Sequence, residues 1–252
     1  MTLALEEAQP DYLFHLAGIA AGNCAEEFFR VNVLYATALL RASRDANVAD
    51  RPILFVGTAA EYGRVEGEDL PLRETTQCRP YNYYGMSKLM QTLAGLSAAQ
   101  NDNRPIVVAR PFNIIGTGMP EHLALASFAR QVAEIKKGSS PPIIHVGNLN
   151  SSRDFIDVED VVRLYWMLIK NEDAYGEVFN LCTGIATPTG ELLDLLIKAS
   201  GTPASVESLP SLYKELDIPR HYGSNEKLQR LIGDFKYTPI ERTIQKIAPC
   251  KN

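Results

Sequence analysis

Residues 81–88 read YNYYGMSK and set Tyr84 and Lys88 four apart at the opening of a helical pattern. Side chains at i and i+4 share one helix face, so the phenol and the ammonium are neighbours one turn apart. An ordinary phenol titrates near pH ~10. A cation beside it favours the ionised form, so Lys88 is expected to lower the Tyr84 pKa and leave a general acid/base. The bare spacing by itself favours two ordinary residues on a half-buried helix, and only the surroundings turn it toward chemistry.

Two apolar β-type runs flank the stretch. Residues 53–63, ILFVGTAAEYG, end their run at Gly57 and Thr58, and residues 105–113, PIVVARPFN, end theirs at Arg110, Pro111, Phe112 and Asn113. Open α/β sheets bind ligands at the carboxyl ends of their strands, so all three clusters are expected at one edge. There the Thr58 hydroxyl either faces Tyr84 or caps the turn that follows its strand.

With 46% hydrophobic and 22% charged residues among 252, the chain can bury a substantial core as one domain or two small ones. A net charge of −5 and a pI near 5.5 argue against nucleic acid or an anionic membrane as partner, since both call for clustered Lys and Arg. No run of ~18 apolar residues occurs. The opening MTLALEEAQPD is acidic where a secretory leader is basic and then apolar, so a cytoplasmic address is expected. Cys24, Cys78, Cys182 and Cys250 are scattered, as are His15, His122, His145 and His221. Neither a disulfide framework nor a metal site is expected.

Residues 2–8 read as helix and 12–16 as a strand. Residues 25–47 space Phe28, Val31, Tyr35, Ala38, Leu39 and Ala42 as a helix packed on a sheet, with Asn32 inside it. A polar surface loop, 63–77, follows the strand at 53–57. Helices are expected at 84–100 and 120–137, the second with Leu123, Leu125, Phe128, Val132 and Ile135 on its apolar side. From Pro141 the pattern changes to short elements: strands at 143–146 and 178–182, and helices at 158–170 and 189–200, the last opened by a cap-like Thr-Gly-Glu. The tail from Ser211 reads as polar and broken by Pro219 and Pro239.

Five motifs stand in order: HLAG at 15–18, GTAAEYG at 57–63, YYGMSK at 83–88, RPFNIIGTG at 110–118 and RDFIDVEDVV at 153–162. In this order they resemble the extended short-chain dehydrogenase/reductases, the NAD-dependent epimerase/dehydratase family that reshapes nucleotide-activated sugars. VGNLNSSRDFIDVEDVVRLYW, FNLCTG, YGSNEKL and FKYTP look most like its GDP-4-keto-6-deoxy-D-mannose reductase branch. The resemblance implies an α/β fold. Residues 1–140 would form an N-terminally truncated Rossmann-like parallel sheet, and 141–252 a smaller α/β substrate-binding region with one strand returning to the sheet. It also implies NAD or NADP as cofactor and a nucleotide-diphosphate sugar as substrate.

By the same resemblance, Tyr84 exchanges the proton at the sugar C4 oxygen, Lys88 lowers the Tyr pKa and binds the nicotinamide ribose, and Thr58 donates to the sugar oxygen. Leu16, Ala17 and Gly18 would pass beside that ribose, although Ala17 and Gly18 serve a tight turn as well. Asn32 would lie near the cofactor and Tyr84, or bond a neighbouring loop. Pro111 and Phe112 would read the carboxamide through their backbone. Thr58, Glu61 and Asn113 are expected at the sugar or its phosphate, and Arg153, Lys214 and Arg220 at the diphosphate. An ion pair with Asp154 or Asp157 is the other reading of Arg153. Lys214 stands where those reductases carry Arg. The family's 4,6-dehydratases place acids soon after the Thr, where this chain has Ala59 and Ala60. Reduction at C4 is therefore expected, with 4-epimerisation, or a catalytically impaired binding or assembly partner, as alternatives.

The family opens with a glycine-rich turn whose amides hold the pyrophosphate. No G-x-x-G-x-x-G occurs here, so two βαβ steps, roughly 60 residues, are expected to be missing. The strand at 12–16 would then be an exposed apolar edge. A homo-oligomer, another chain or a rearranged local segment is expected to cap it.

Overall fold

The structure, a computed structural model, describes residues 1–213 and 218–249. Its first half runs α1 (Thr2–Ala8), β1 (Leu13–His15), α2 (Ala25–Phe28), a π-helical segment (Phe29–Leu34), α3 (Tyr35–Asp45), β2 (Ile53–Val56), α4 (Tyr83–Asp102), β3 (Ile106–Pro111), β4 (Asn113–Ile115) and α5 (Ala124–Lys136). The rest runs β5 (Ile143–Val146), β6 (Ser152–Arg153), β7 (Phe155–Asp157), α6 (Val158–Ile169), β8 (Val178–Leu181), β9 (Thr187–Pro188), α7 (Thr189–Ser200), β10 (Ser205–Ser208), β11 (Arg220–His221), α8 (Glu226–Ile232) and α9 (Ile240–Ile247).

Two compact units interleave in sequence. One holds Met1–Phe112, Val161–Leu181 and Gly223–Phe235, and the other the described parts of Asn113–Asp160, Cys182–Tyr222 and Lys236–Asn252. The chain thus leaves the first unit at Phe112, earlier than the expected change at 140, and returns to it twice.

The first unit is built on a parallel sheet in the order β1-β2-β3-β8. Parallel strands need long crossovers, supplied by α3 between β1 and β2 and by α4 between β2 and β3. Such strands are covered on both faces and carry continuous apolar runs; Ile53, Leu54, Phe55, Ile106, Val107, Val108 and Ala109 have no exposed surface. The alternate residues Ile53, Phe55, Ile106 and Val108 pack with Leu39, Ala42 and Ala98. Each large side chain buried this way contributes about 1.5–3 kcal/mol. The α/β class is as expected, and the loops after β1, β2 and β3 share the sheet's carboxyl edge.

Three sequence readings need correction here. The helical run from 25 to 45 is interrupted by a π turn, whose extra residue advances the buried stripe. Val33 and Ala36 therefore face inward while Tyr35 is 46% exposed, against the expected Val31, Tyr35 and Ala38 face. The 63–77 loop is not wholly superficial, because Leu72 is fully buried and bridges to Gly223. Finally, β1 is the sheet's end strand and no further strand pairs with it among the described residues, but its rings are not bare. Trp166 of α6 stacks on Phe14 at 5.5 Å and meets Tyr12 edge-on at 5.4 Å.

The second unit is made of short pieces. β4 pairs with β7, β5 with β10, and β6 lies between β9 and β11. Ile115, Phe128, Val132, Ile144, Leu192, Leu196 and Ile244 form its core. The last of these belongs to α9, inside the tail expected to be polar; Pro239 caps that helix rather than breaking the chain. Thr189 does not cap α7, since its hydroxyl donates to Ser151 O at 2.9 Å. Among the described residues no helix is long and apolar enough to cross a membrane, and no group of three or more His, Cys, Asp or Glu could hold a metal ion.

Candidate active site

Asn82 starts α4: its Oδ1 accepts from Gly85 N at 2.8 Å, which fixes Tyr84 in the first turn and Lys88 one turn later. Gly85 lets that turn approach the segment after β2, where an added Cβ would come within 2.6 Å of Ala60 O. The Thr58 side chain comes near enough to the Tyr84 phenol to hold its pKa down in part. Thr58 also caps the short helical turn Ala59–Glu61, accepting from Ala60 N at 3.3 Å. The capping reading of its hydroxyl is thus met.

Lys88 is 5% exposed, and its Nζ donates to Gln91 Oε1 at 2.9 Å. Burial lowers its pKa to about 8, with Glu61 partly offsetting the effect. The Tyr84 phenol moves opposite to the expected direction. Burial raises its pKa, the Thr58 side chain offsets this in part, and the Glu61 charge adds to the rise. Desolvation of the phenol sets the direction, and Lys88, on which the sequence reading relied, is not among the groups that shift it.

Glu61, expected at the sugar, has no exposed surface and is held among protein groups. Its Oε1 accepts from Thr58 N at 2.9 Å and from Thr92 Oγ1 at 3.1 Å, while Oε2 accepts from Arg110 Nε at 2.8 Å. A Cβ at Gly57 would strike Glu61 Oε1, so the strand end and the carboxylate require each other. Arg110 continues inward, donating to Tyr62 Oη at 3.3 Å, and Tyr62 donates to Asn180 Oδ1 at 2.7 Å. This chain of contacts runs from β2 through β3 to β8.

At the end of β1, Leu16, Ala17 and Gly18 are exposed. A Cβ on Gly18 would lie 3.1 Å from Asn32 Oδ1 and 3.5 Å from Lys88 Nζ, so the missing side chain keeps space open beside both. Asn32 is fully buried in the π segment; Oδ1 accepts from Ile19 N at 2.8 Å, and Nδ2 donates to Ile19 O at 3.0 Å and Ser87 Oγ at 2.9 Å. It ties the 16–19 loop to α4, as the neighbouring-loop reading has it. His15 is buried next to Phe55, with Nε2 lacking a hydrogen-bond partner, and burial followed by the Lys88 charge lowers its pKa to about 4. Pro111 ends β3, and Phe112 N donates to Leu181 O at 3.0 Å; both residues are buried.

Asn113, Arg153 and Arg220 belong to the second unit. The Asn113 side chain and backbone N–H both donate to Asp154 O, each at 3.0 Å. Arg153 Nη1 donates to Ser152 O at 2.9 Å and Ile218 O at 2.6 Å. The Asp154 carboxylate accepts from Thr183 and Gly184, and that of Asp157 from Glu159 N and Thr243 Oγ1. Arg220 is exposed on β11, its guanidinium 5.2 Å from the Tyr222 ring centre. Lys214 lies outside the described residues. Sequence reasoning missed Gln91, Asn82 and the Tyr62–Asn180 link. Only Gln91 left a signal, standing three residues after Lys88 on the same helix face.

Residues 1–182 match the model of the NAD dependent epimerase/dehydratase family. The chain is 31% identical to GDP-6-deoxy-D-mannose reductase of Pseudomonas aeruginosa, over 94% of this chain and 79% of that protein. It is also 31% identical to GDP-6-deoxy-D-talose 4-dehydrogenase of Aggregatibacter actinomycetemcomitans, over 96% and 80%. The solved structure of RMD from Pseudomonas aeruginosa complexed with NADPH superposes with a TM-score of 0.89 at 29% identity, covering 94% of this chain and 80% of that one. A putative epimerase from Burkholderia cenocepacia gives 0.84 at 32% identity, over 98% and 77%.

Proposed function

The chain belongs to the NAD-dependent epimerase/dehydratase family, and from that premise we propose that it reduces the 4-keto group of a GDP-activated 6-deoxy sugar, with NADPH or NADH as hydride donor. One observation carries the reading: the Thr58 side chain and the Tyr84 phenol lie close together at the carboxyl edge of a parallel sheet, with a buried lysine one turn along.

Tyr84 is the acid. Its raised pKa keeps the phenol protonated at neutral pH, ready to give the proton to the C4 oxygen as negative charge gathers there. The Thr58 hydroxyl stabilises the same charge. Glu61 holds the Thr58 backbone, so the donor needs no reorganisation during reaction. The space that Gly18 keeps beside Lys88 is assigned to the nicotinamide ribose, with Leu16, Ala17, Gly18, Lys88 and the Pro111–Phe112 backbone as the cofactor's contacts. Asn113, Arg153 and Arg220 are assigned to the sugar diphosphate in the same proposal.

Titration of the purified chain with NADPH and NADH, read by nicotinamide fluorescence and followed by turnover of GDP-4-keto-6-deoxymannose, tests this. Saturation at micromolar cofactor with one reduced cofactor consumed per ketone supports it, and no response at millimolar cofactor removes it. Epimerisation at C4 would use the same three side chains, and the likeness to the Burkholderia protein gives it a specific basis. It leaves the cofactor unconsumed, so stoichiometry separates the two.

A homo-oligomer, or another chain along the outer side of β1, belongs to the same proposal. The β1 strand has no further strand paired with it among the described residues, which supports a covering partner. A monomer in solution with rapid amide exchange across 12–16 would end that part of it.

A further inference from the structure

The Lys88 ammonium is held by a group that the proposed reaction does not itself require. Gln91 is fully buried and its amide is engaged at both ends: Oε1 accepts from Lys88 Nζ, and Nε2 donates to Val56 O, each at 2.9 Å. The orientation of this amide is chemically forced. An ammonium only donates and a carbonyl oxygen only accepts, so the flipped amide would lose both bonds. Val56 is the last residue of β2, two before Thr58. The bridge therefore ties the ammonium of α4 to the strand that presents the Thr58 hydroxyl.

We propose that Gln91 is a positioning residue that sets both the place and the protonation of Lys88 by bridging its ammonium to the end of β2. The inference rests on the reading of Thr58, Tyr84 and Lys88 as an acid/base cluster and adds a residue to it. An ammonium has three donors; one is given to Gln91, and the others are left for a ligand. A buried ammonium without an acceptor gives up its proton readily, whereas one facing a carboxylate keeps it. The neutral amide sits between these limits. The other titratable groups around Lys88 are His15 from β1, Glu61 from the segment after β2, and Tyr84 one turn earlier on α4. His15 is neutral above its own pKa of about 4, so Glu61 supplies the standing charge that supports the ammonium.

The test uses the full chain carrying ¹⁵N,¹³C-labelled lysine, with the Lys88 side-chain resonance assigned by its loss in Lys88→Met and followed through a pH titration. Gln91→Met removes the acceptor at similar volume and is expected to move the Lys88 midpoint down by about half a unit or more. Gln91→Glu is expected to move it up by about one unit or more, since the carboxylate favours the charged form. The alkaline limb of kcat/KM should follow in the same directions, with kcat in Gln91→Met about tenfold lower and the sugar-nucleotide KM little changed. A generally loosened helix would not produce shifts of opposite sign. Should Gln91→Glu fail to fold, the downward shift in Gln91→Met carries the test alone. A Lys88 midpoint unmoved in the folded variants overturns the inference. Shifts of the expected signs in a chain that turns over no keto sugar support it and sink the proposed reaction instead.

Discussion

The polar groups around Thr58 in the first unit and the arginines of the second are held in different ways. Around Thr58 and Lys88 the groups are buried and satisfied by side chains from β2, β3 and α4: Glu61 takes Thr58, Thr92 and Arg110, and Gln91 takes Lys88. In the second unit the Asp154 and Asp157 carboxylates are held in the same buried way, but the two arginines differ: Arg153 donates to the backbone carbonyls of Ser152 and Ile218, and Arg220 lies exposed over an aromatic ring. The difference matches the two tasks assigned to them. Stabilising charge at a reacting atom rewards dipoles fixed beforehand, whereas gripping a diphosphate rewards a cation that reaches outward and loses little on desolvation.

The largest expected effect tests whether the closed cluster is catalytic at all. Tyr84→Phe removes the proton donor and leaves the ring, so turnover should fall by up to about 10⁴-fold while sugar-nucleotide binding is unchanged. Steady-state kinetics beside a binding titration measure both. Unchanged turnover would reduce the cluster to a structural one. Next comes the cost of opening the cluster. Arg110→Met strands the buried Glu61 carboxylate and should cost about 3–5 kcal/mol in denaturant unfolding. Adding Glu61→Leu should recover part of that stability but none of the activity, because Thr58 N then loses its acceptor. Full recovery of activity in the double variant would show that Thr58 needs no bracing.

A smaller effect comes from a loose end of the first unit. His15 is buried, Nε2 lacks a partner, and its pKa lies at about 4 instead of 6.5. The unfolded chain therefore binds a proton between those values that the folded chain refuses. Stability must fall as pH drops from 6.5 towards 4, by at most about 3 kcal/mol from this group. His15→Phe should abolish that part of the acid sensitivity and leave stability above pH 7 little changed. Parallel acid unfolding curves for the two proteins would place the sensitivity elsewhere.

The closed cluster was only half legible in the sequence. Strand runs and the four-residue step from Tyr84 to Lys88 fix the parallel sheet and its carboxyl edge, because these are local periodicities. Glu61 and Arg110 lie 49 positions apart, and Tyr62 and Asn180 lie 118 apart. No local pattern marks them as partners, and only the family resemblance places Glu61 at the sugar. The π turn at Phe29–Leu34 breaks the 3.6 period just where it was trusted, and so moves Tyr35 outward. In the second unit, two-residue strands such as β6, β9 and β11 are too short to carry any period. Its apolar α9 is visible in hindsight as Ile240, Ile244 and Ile247, with the leading Pro239 read as a break instead of a helix start.

The smallest effect sharpens the contrast from the open side. Arg220 sits on a two-residue strand, exposed and over Tyr222, and an exposed cation–π contact is worth about 0.5–1 kcal/mol. Arg220→Ala should therefore leave the unfolding midpoint nearly where it was. If the guanidinium grips the diphosphate, the same change should raise KM for the sugar nucleotide about tenfold at constant kcat, because uniform binding is lost and the transition state is not singled out. Arg220→Lys should restore only part of the loss, since an ammonium keeps the charge and lacks the planar fork. The loss should also shrink with added salt, as an exposed charge is screened. A KM unmoved in both variants would leave Arg220 as a stacking residue and assign the diphosphate to a group held more tightly, which would make the second unit as closed as the first.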